Sequence, residues 1–398
     1  MAAQAFVALS AASAAADPSG YHPALERYVR FLERQKRPPV EYILSLFEKY
    51  DIVVFCERAH PEVTQYDLLY ELASHPRFQE EVGHIFTEVG SSASRPLVDS
   101  LLVDDSLTKE QVDEKLCCLA RNFDFGSVWD KTNIYDFLRR LQGLNRSLPE
   151  DRRVRVYPSG IHFRWENATR ESLNAFNRQL NQRDRLMAEN IIQKFNELGR
   201  ADRRKKALVI MNFRHAFPHL KPELGGPVEN TGGFLMEAYP DRLANVMLNF
   251  VRILPGSTDS QVAITAVHEG KWDAAFGVLG NPSLGFDFKE SPLGTDEFDY
   301  FPFIPLRLRY QDVFTGFVFY QPLARHRMSF GLPGLIDASF GDELARRHRL
   351  HGRDDSRAQI DREVARLGTL RLSGYEDATV FSRSDCAAKI QQWLTPKP

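Results

Sequence analysis

The sequence predicts an α/β protein with a central, largely parallel sheet flanked by helices. Three observations carry that reading. Short apolar runs of four to six residues recur along the chain. Between them lie stretches whose apolar residues fall at helical spacing, and this alternation of helix and strand marks a parallel sheet covered on both faces. Polar residues suited to chemistry also follow several runs directly, where the carboxyl ends of parallel strands open into one crevice.

Taken in order, residues 22–35 and 39–50 read as helices, the second opening on prolines as a helix start often does. Residues 52–55, Ile-Val-Val-Phe, read as a buried strand. A helix over 62–74 and a second strand over 84–89 follow. Helices over 109–120 and 133–144 precede a third strand at 154–157. Residues 171–198 hold no Pro or Gly and place Leu173, Phe176, Leu180, Met187, Ile191 and Phe195 at helical spacing, which predicts one long helix. A fourth strand spans 207–211. The theme then weakens through apolar runs at 233–236, 246–253 and 262–267. The Gly-, Pro- and Asp-rich stretch 277–299 reads as a loop or insertion, and 313–319 as a late strand. No internal repeat of fixed period occurs.

A length of 398 residues suffices to bury a large core. The formal charge of -2 lacks the basic excess of a nucleic-acid binder, so a small-molecule substrate is the expected partner. The basic clusters at 203–206 and 346–349 read as solvated helix ends or loops. No segment reaches the ~18 consecutive apolar residues of a membrane span. Residues 1–20 read as a leader: small or apolar from Ala2 to Ala16, they resemble the apolar region and cleavage site of a secretory signal, although no Lys or Arg precedes Arg27. Export is therefore expected, with a cytoplasmic location as the alternative. Residues 21–345 are assigned to the α/β domain, and the Arg-rich residues 346–398 to a helical or loosely attached extension. The four cysteines match no disulfide framework or zinc ribbon, and most of them read as small buried apolar groups.

Functional residues emerge where polar groups meet strand ends. The segment Cys56-Glu57-Arg58-Ala59-His60 follows the first run, with a carboxylate and an imidazole three residues apart. Glu88 ends the second run, His162 follows the third, and His215 follows the fourth. A carboxylate at the end of an apolar strand requires a partner, and His60, Arg58 or a cation would serve Glu88. On a helix, Arg183, Met187 and Asn190 share a face, with Asp184 and Ala188 beside it. From that face Arg183 would anchor a strand-end carboxylate.

Arg183-Asp184-x-x-Met187-Ala188-Glu189-Asn190 resembles the Arg-Asp-x-x-Met-Ala-x-Asn helix signature of the erythromycin esterase family. Glu57-x-x-His60 is similar to that family's Gly-Glu-x-x-His-Gly motif, and Glu88 corresponds to its strand-ending Glu. The run 207–211 with Asn212-Phe213-Arg214-His215 resembles its later strand and Asn/His motif, and Gly232-Gly233-Phe234-Leu235 its Gly-x-x-Leu segment. Cys56 and Pro61 stand where the first motif has glycines, and two residues rather than one separate Asn212 from His215. The resemblance spans about residues 40–320. It implies an erythromycin esterase-like fold and a hydrolase that cleaves an ester or lactone.

In that reading His60 is the general base, Glu57 or Glu88 orients it, and His215 donates to the developing oxyanion or the leaving oxygen. Arg58, Arg183, Asp184 and Asn190 support the site. No Gly-x-Ser-x-Gly elbow is present, which argues against a serine triad. Either no cofactor is required, or Glu57, His60, Glu88 and His215 hold a divalent metal, which would make the chain a metal-dependent hydrolase. A haem- or metal-binding protein without turnover is another alternative, with the aromatic runs at 298–303 and 317–320 lining its pocket. A degenerate member with an inactive site is the third.

Overall fold

The computed structural model describes residues 20–221, 227–258, 261–300, 307–377 and 380–395. The leader, apart from Gly20, and residues 301–303 of the first aromatic run lie outside the described residues. Among the described residues twelve strands follow one another: β1 Ile52–Glu57, β2 His84–Ser91, β3 Arg155–Gly160, β4 Ala207–Asn212, β5 Leu243–Leu248, β6 Val251–Ile253, β7 Ala263–Ala266, β8 Leu284–Asp287, β9 Gly316–Phe319, β10 Met328–Phe330, β11 Arg371–Ser373 and β12 Arg383–Ser384. Seven form the main sheet in the order β3-β2-β4-β1-β5-β9-β8. All neighbours in it are parallel except the edge pair β8 and β9.

The centre of the sheet shows why continuous apolar runs became its strands. All six residues of β1 are buried, and their side chains alternate between two cores. Ile52, Val54 and Cys56 enter one, and Val53 and Phe55 the other. A strand covered on both faces has no solvent side, so its sequence reads as uniformly apolar. Helices fill both layers. Helix Arg183–Ala201 packs Ala188, Ile191 and Phe195 on one face of the sheet, and helix Thr132–Asn145 packs Ile134, Phe137 and Leu138 on the other.

The strand order locates a crevice. From β2 the chain moves outward to β3, whereas from β4 it passes over β1 to β5. The connections leaving neighbours β2 and β4 thus diverge, which opens a gap beyond their carboxyl ends. Strand β2 is also irregular there. Its pairing with β3 shifts register between Thr87 and Ser91. Such a bulge re-aims side chains, and Glu88 lies within it. Gly90 adopts a φ of +96°, and a Cβ at this position would meet the Phe123 ring at 2.6 Å. Only glycine fits the turn.

Several expectations need correction. The long helix over 171–198 is interrupted: helix Arg170–Asn177 gives way to a 3-10 turn at Leu180–Gln182, and helix Arg183–Ala201 begins anew. Gln182, at φ -110° and ψ 17°, marks the break. Polar Asn177, Gln179, Asn181 and Gln182 supply no apolar face there. The stretch 277–299 contains β8, which the antiparallel pairing with β9 holds at the sheet edge. The run 246–253 is two strands, β5 and β6, in separate sheets. Beyond Arg346, Ile360, Val364 and Leu367 are buried in one of the two cores, β11 pairs with β10, and β12 with β7. Among the described residues no helix is long and apolar enough to cross a membrane.

Candidate functional site

Glu88 is the hub of the polar cluster beyond the strand ends. Its carboxylate is buried, and the backbone N–H of Asn212, the last residue of β4, donates to Oε2 at 2.7 Å. Arg183 Nη2 donates to Oε1 at 2.9 Å. His215 Nε2 lies 3.2 Å from the same oxygen, off the line of a good hydrogen bond, and His60 Nε2 lies 3.8 Å away. Burial raises the carboxyl's pKa, but His215, His60 and Arg183 together outweigh it and hold Glu88 well below the usual range. Glu88 is a fixed anion, poorly suited to accept a proton.

His215 sits on the 3-10 turn Phe213–His215 directly after β4. Its Nδ1 donates to Asp184 Oδ1 at 2.7 Å. Asp184 occupies the first turn of its helix, where the backbone dipole favours a carboxylate. It also accepts from the Thr231 N–H at 2.9 Å and the Thr231 hydroxyl at 2.8 Å. The helix break therefore places Arg183 and Asp184 so that one reaches Glu88 and the other His215. Burial opposes charge on His215, but Glu88 and Asp184 raise its pKa to about 9. Asp184 is held low despite burial, chiefly by His215 and Thr231.

His60 occupies the loop after β1. Its Nδ1 donates to Glu57 Oε2 at 2.6 Å, which leaves Nε2 as the outward atom. Glu57 Oε1 in turn accepts from Tyr66 Oη at 3.0 Å and Gln65 Nε2 at 3.4 Å. Asn133 Nδ2 donates to the His60 carbonyl at 2.6 Å, and the Trp129 ring stands edge-on to the imidazole at 5.0 Å. Burial lowers the pKa of His60, but Glu57 and Glu88 more than offset this and raise it. The side chain remains 22% exposed. It lines a cleft of about 490 Å³ that runs past Asn212 and Phe213 toward β6 and β7. A larger concavity of about 830 Å³, beside the β8 edge, is lined by Arg34, Arg37 and Asp287 and holds none of these groups.

The fold thus brings Glu57, His60, Glu88, Arg183, Asp184 and His215 into one cluster. Arg58 and Asn190 lie outside it. Arg58 faces away from Glu57, and all five of its N–H groups are taken by Glu62, Thr64, the Tyr320 carbonyl, and the carbonyl and side-chain oxygens of Asn249. It locks the loop after β1 rather than contacting Glu88. Asn190 Nδ2 donates to the carbonyls of Ser159 and Gly160 at 3.1 and 3.3 Å and ties its helix to the end of β3. His162 is exposed, and no hydrogen bond or ion pair joins it to the cluster among the described residues.

Tyr66, Gln65, Trp129, Asn133 and Thr231 are supporting residues that the sequence reading missed. Tyr66 and Gln65 had a signal: they begin the helix after the strand–loop carrying Glu57, where a strand-end carboxylate finds its donors. Asp124 joins the same electrostatic field. Burial raises its carboxyl, while the Gly126 N–H, Arg183 and His60 pull the other way.

The donors do not converge on a metal. Among the described residues no group of three or more His, Cys, Asp or Glu could hold one. Both nitrogens of His215 face carboxylates, and Nδ1 of His60 is committed to Glu57. Cys56 is buried in the core, where desolvation, with Glu57 nearby, pushes its thiol well above the ordinary range, so it is no nucleophile. Phe298, Tyr300, Phe317 and Phe319 are core residues rather than pocket walls.

No family model matches the chain, and no curated protein sequence matches it. Among solved structures it is similar to a Bacillus cereus protein at 11% identity and a TM-score of 0.49, over 75% of this chain and 97% of that one. It is also similar to the erythromycin esterase EreC, a mutant in its open conformation, at 11% identity and a TM-score of 0.35, over 75% and 96% of the two chains.

Proposed function

We propose that this chain hydrolyses a carboxylic ester or lactone by attack of a water that His60 activates. The observation that carries the reading is the orientation of His60. Glu57 holds Nδ1 at 2.6 Å, and Nε2 makes no hydrogen bond among the described residues while the ring lines the cleft. In its neutral form such an imidazole presents an unshared pair to a water, and the raised pKa makes it a stronger base than a free histidine.

The chemistry balances without a protein nucleophile. Water gives its proton to His60 Nε2 as its oxygen bonds to the carbonyl carbon. The resulting oxyanion is stabilised through space by the imidazolium of His215, which stays charged at neutral pH because Glu88 and Asp184 flank both of its nitrogens. Collapse breaks the bond from carbon to the alcohol oxygen, and the proton on His60 passes to that oxygen. An acid and an alcohol leave, joined in one molecule when the substrate is a lactone. Glu88 keeps the two imidazoles and Arg183 together and takes no proton itself.

A panel of esters and lactones incubated with the full chain tests the proposal. His60→Ala is expected to lower turnover about 10²- to 10⁴-fold with the fold unchanged by circular dichroism. Full activity in that variant would sink the assignment. Chelator treatment separates the metal-dependent alternative: turnover is expected to survive it, and a loss restored by a divalent cation would move the activation of water from His60 to a metal.

A further inference from the structure

The cleft beside His60 is lined by both apolar and cationic side chains: Phe213, Phe250, Val251 and Ile264 among the first, Lys131 and Arg214 among the second. No Asp or Glu lines the cleft among the described residues. This sign is local, since the whole chain carries a formal charge of -2. Lys131 is fixed in place, with Nζ 2.7 Å from Asp130 Oδ1 and 4.8 Å from the centre of the Trp129 ring. Asp130 does not neutralise it alone, because Arg366 at 3.1 Å and Arg371 at 3.6 Å share the same carboxylate. Arg214 is exposed, and among the described residues no carboxylate pairs with it.

An apolar cleft of about 490 Å³ with two cations and, among the described residues, no anion in its lining selects by burial and by charge together. We infer that the ligand is an amphipathic anion. Its apolar body lies against Phe213, Phe250 and Val251, and its carboxylate faces Lys131 and Arg214. The inference rests on the hydrolase reading for its reacting group and makes the substrate an ester or lactone that carries a second, acidic group on an apolar frame. Amine-bearing substrates of the same size are disfavoured, because their cation would meet Lys131 and Arg214 without a carboxylate to receive it.

Binding and turnover test this separately. Calorimetry on the full chain compares decanoate with decyltrimethylammonium, two probes of opposite charge whose alkyl chains differ by one methylene. Decanoate is expected to bind on the order of tenfold more tightly, with the preference shrinking as salt rises. Arg214→Glu is expected to remove most of that preference. Arg203→Glu, an equal charge change on a distant exposed residue, is expected to leave it intact. Equal affinities, tighter ammonium binding, or the same loss in both variants would overturn the inference. Matched esters of the two charges then report kcat/KM. If decanoate preference holds and no ester turns over, the hydrolase reading fails and the anion site stands. Turnover that depends on His60 but favours the ammonium ester does the opposite: the hydrolase reading stands and the anion site falls.

Discussion

Glu57 and Arg58 are adjacent in sequence, buried to the same degree, and opposite in what they do. Arg58 points to a closed polar knot in which all five donors are used and the salt bridge to Glu62, at 2.8 Å, has no exposed side-chain surface on either partner. Glu57 points to an open one, where it orders a histidine that still reaches solvent. The closed knot has nothing left to offer a ligand. In the open cluster the charges are arranged around Glu88, and one nitrogen of His60 is left unused. A buried charge alone thus says little about function; the informative sign is a buried charge that orients a partly exposed group.

The sharpest break of this comparison is Arg58→Ala. It strands the Glu62 carboxylate and the Asn249 oxygens in the core, at an expected cost of about 3–5 kcal/mol in denaturant unfolding. His60→Ala removes a half-buried side chain and is expected to change stability by no more than about 1 kcal/mol while abolishing most turnover. If both variants lost activity with stability intact, Arg58 would belong to the site after all, and the distinction between the two knots would fall.

A smaller effect sharpens the same contrast through pH. Turnover needs His60 neutral and His215 charged. The acid limb of the rate profile is expected above the ordinary histidine value of about 6.5, because Glu57 and Glu88 raise His60. The alkaline limb is expected at about 9, where His215 loses its proton. The sign for stability follows from the same raised values. Both imidazoles bind protons more tightly in the folded chain, so their contribution is full below about pH 6.5 and is lost as pH rises through their raised folded values, which for His215 is about 9. His326, beside the closed knot, behaves oppositely. Burial, with Arg58 nearby, lowers its pKa to about 3, so acidification below about 6.5 favours the unfolded chain progressively down to that value. A rate profile with no limb near 9 would remove His215 from the reaction.

Much of this was legible in the sequence, for physical reasons that also explain the gaps. The strands β1, β2 and β4 were readable because a strand buried on both faces must be apolar throughout. Glu57, His60, Glu88 and His215 were visible because each follows such a run within a few residues. The opposite facing of Glu57 and Arg58 was also available, since strand side chains alternate. The helix break before Arg183 was not legible: no Pro or Gly marks it, the polar residues at 177–182 suit an exposed helical turn equally well, and what rewards the break is the tertiary contact of Asp184 with His215 and Thr231. Strand β8 was hidden because four residues in a Gly- and Pro-rich stretch become a strand only through pairing with β9. Trp129 and Asn133 meet His60 across some seventy residues of chain, beyond any local pattern.

The finest test of the open knot is Tyr66→Phe. The phenol donates to Glu57 Oε1 at 3.0 Å, on the carboxylate's far side from His60. Its loss costs about 1 kcal/mol of hydrogen bonding and leaves the ring packing in place. With one donor fewer, Glu57 carries more uncompensated charge and holds the His60 proton more tightly. The acid limb of the rate profile is therefore expected to move to higher pH, by less than about one unit, while the limb near 9 stays fixed. Both limbs moving together would mean that the substitution disturbs the whole cluster. An unmoved acid limb would mean that Glu57 does not set the basicity of His60, and the carboxylate would then be as purely structural as Glu62.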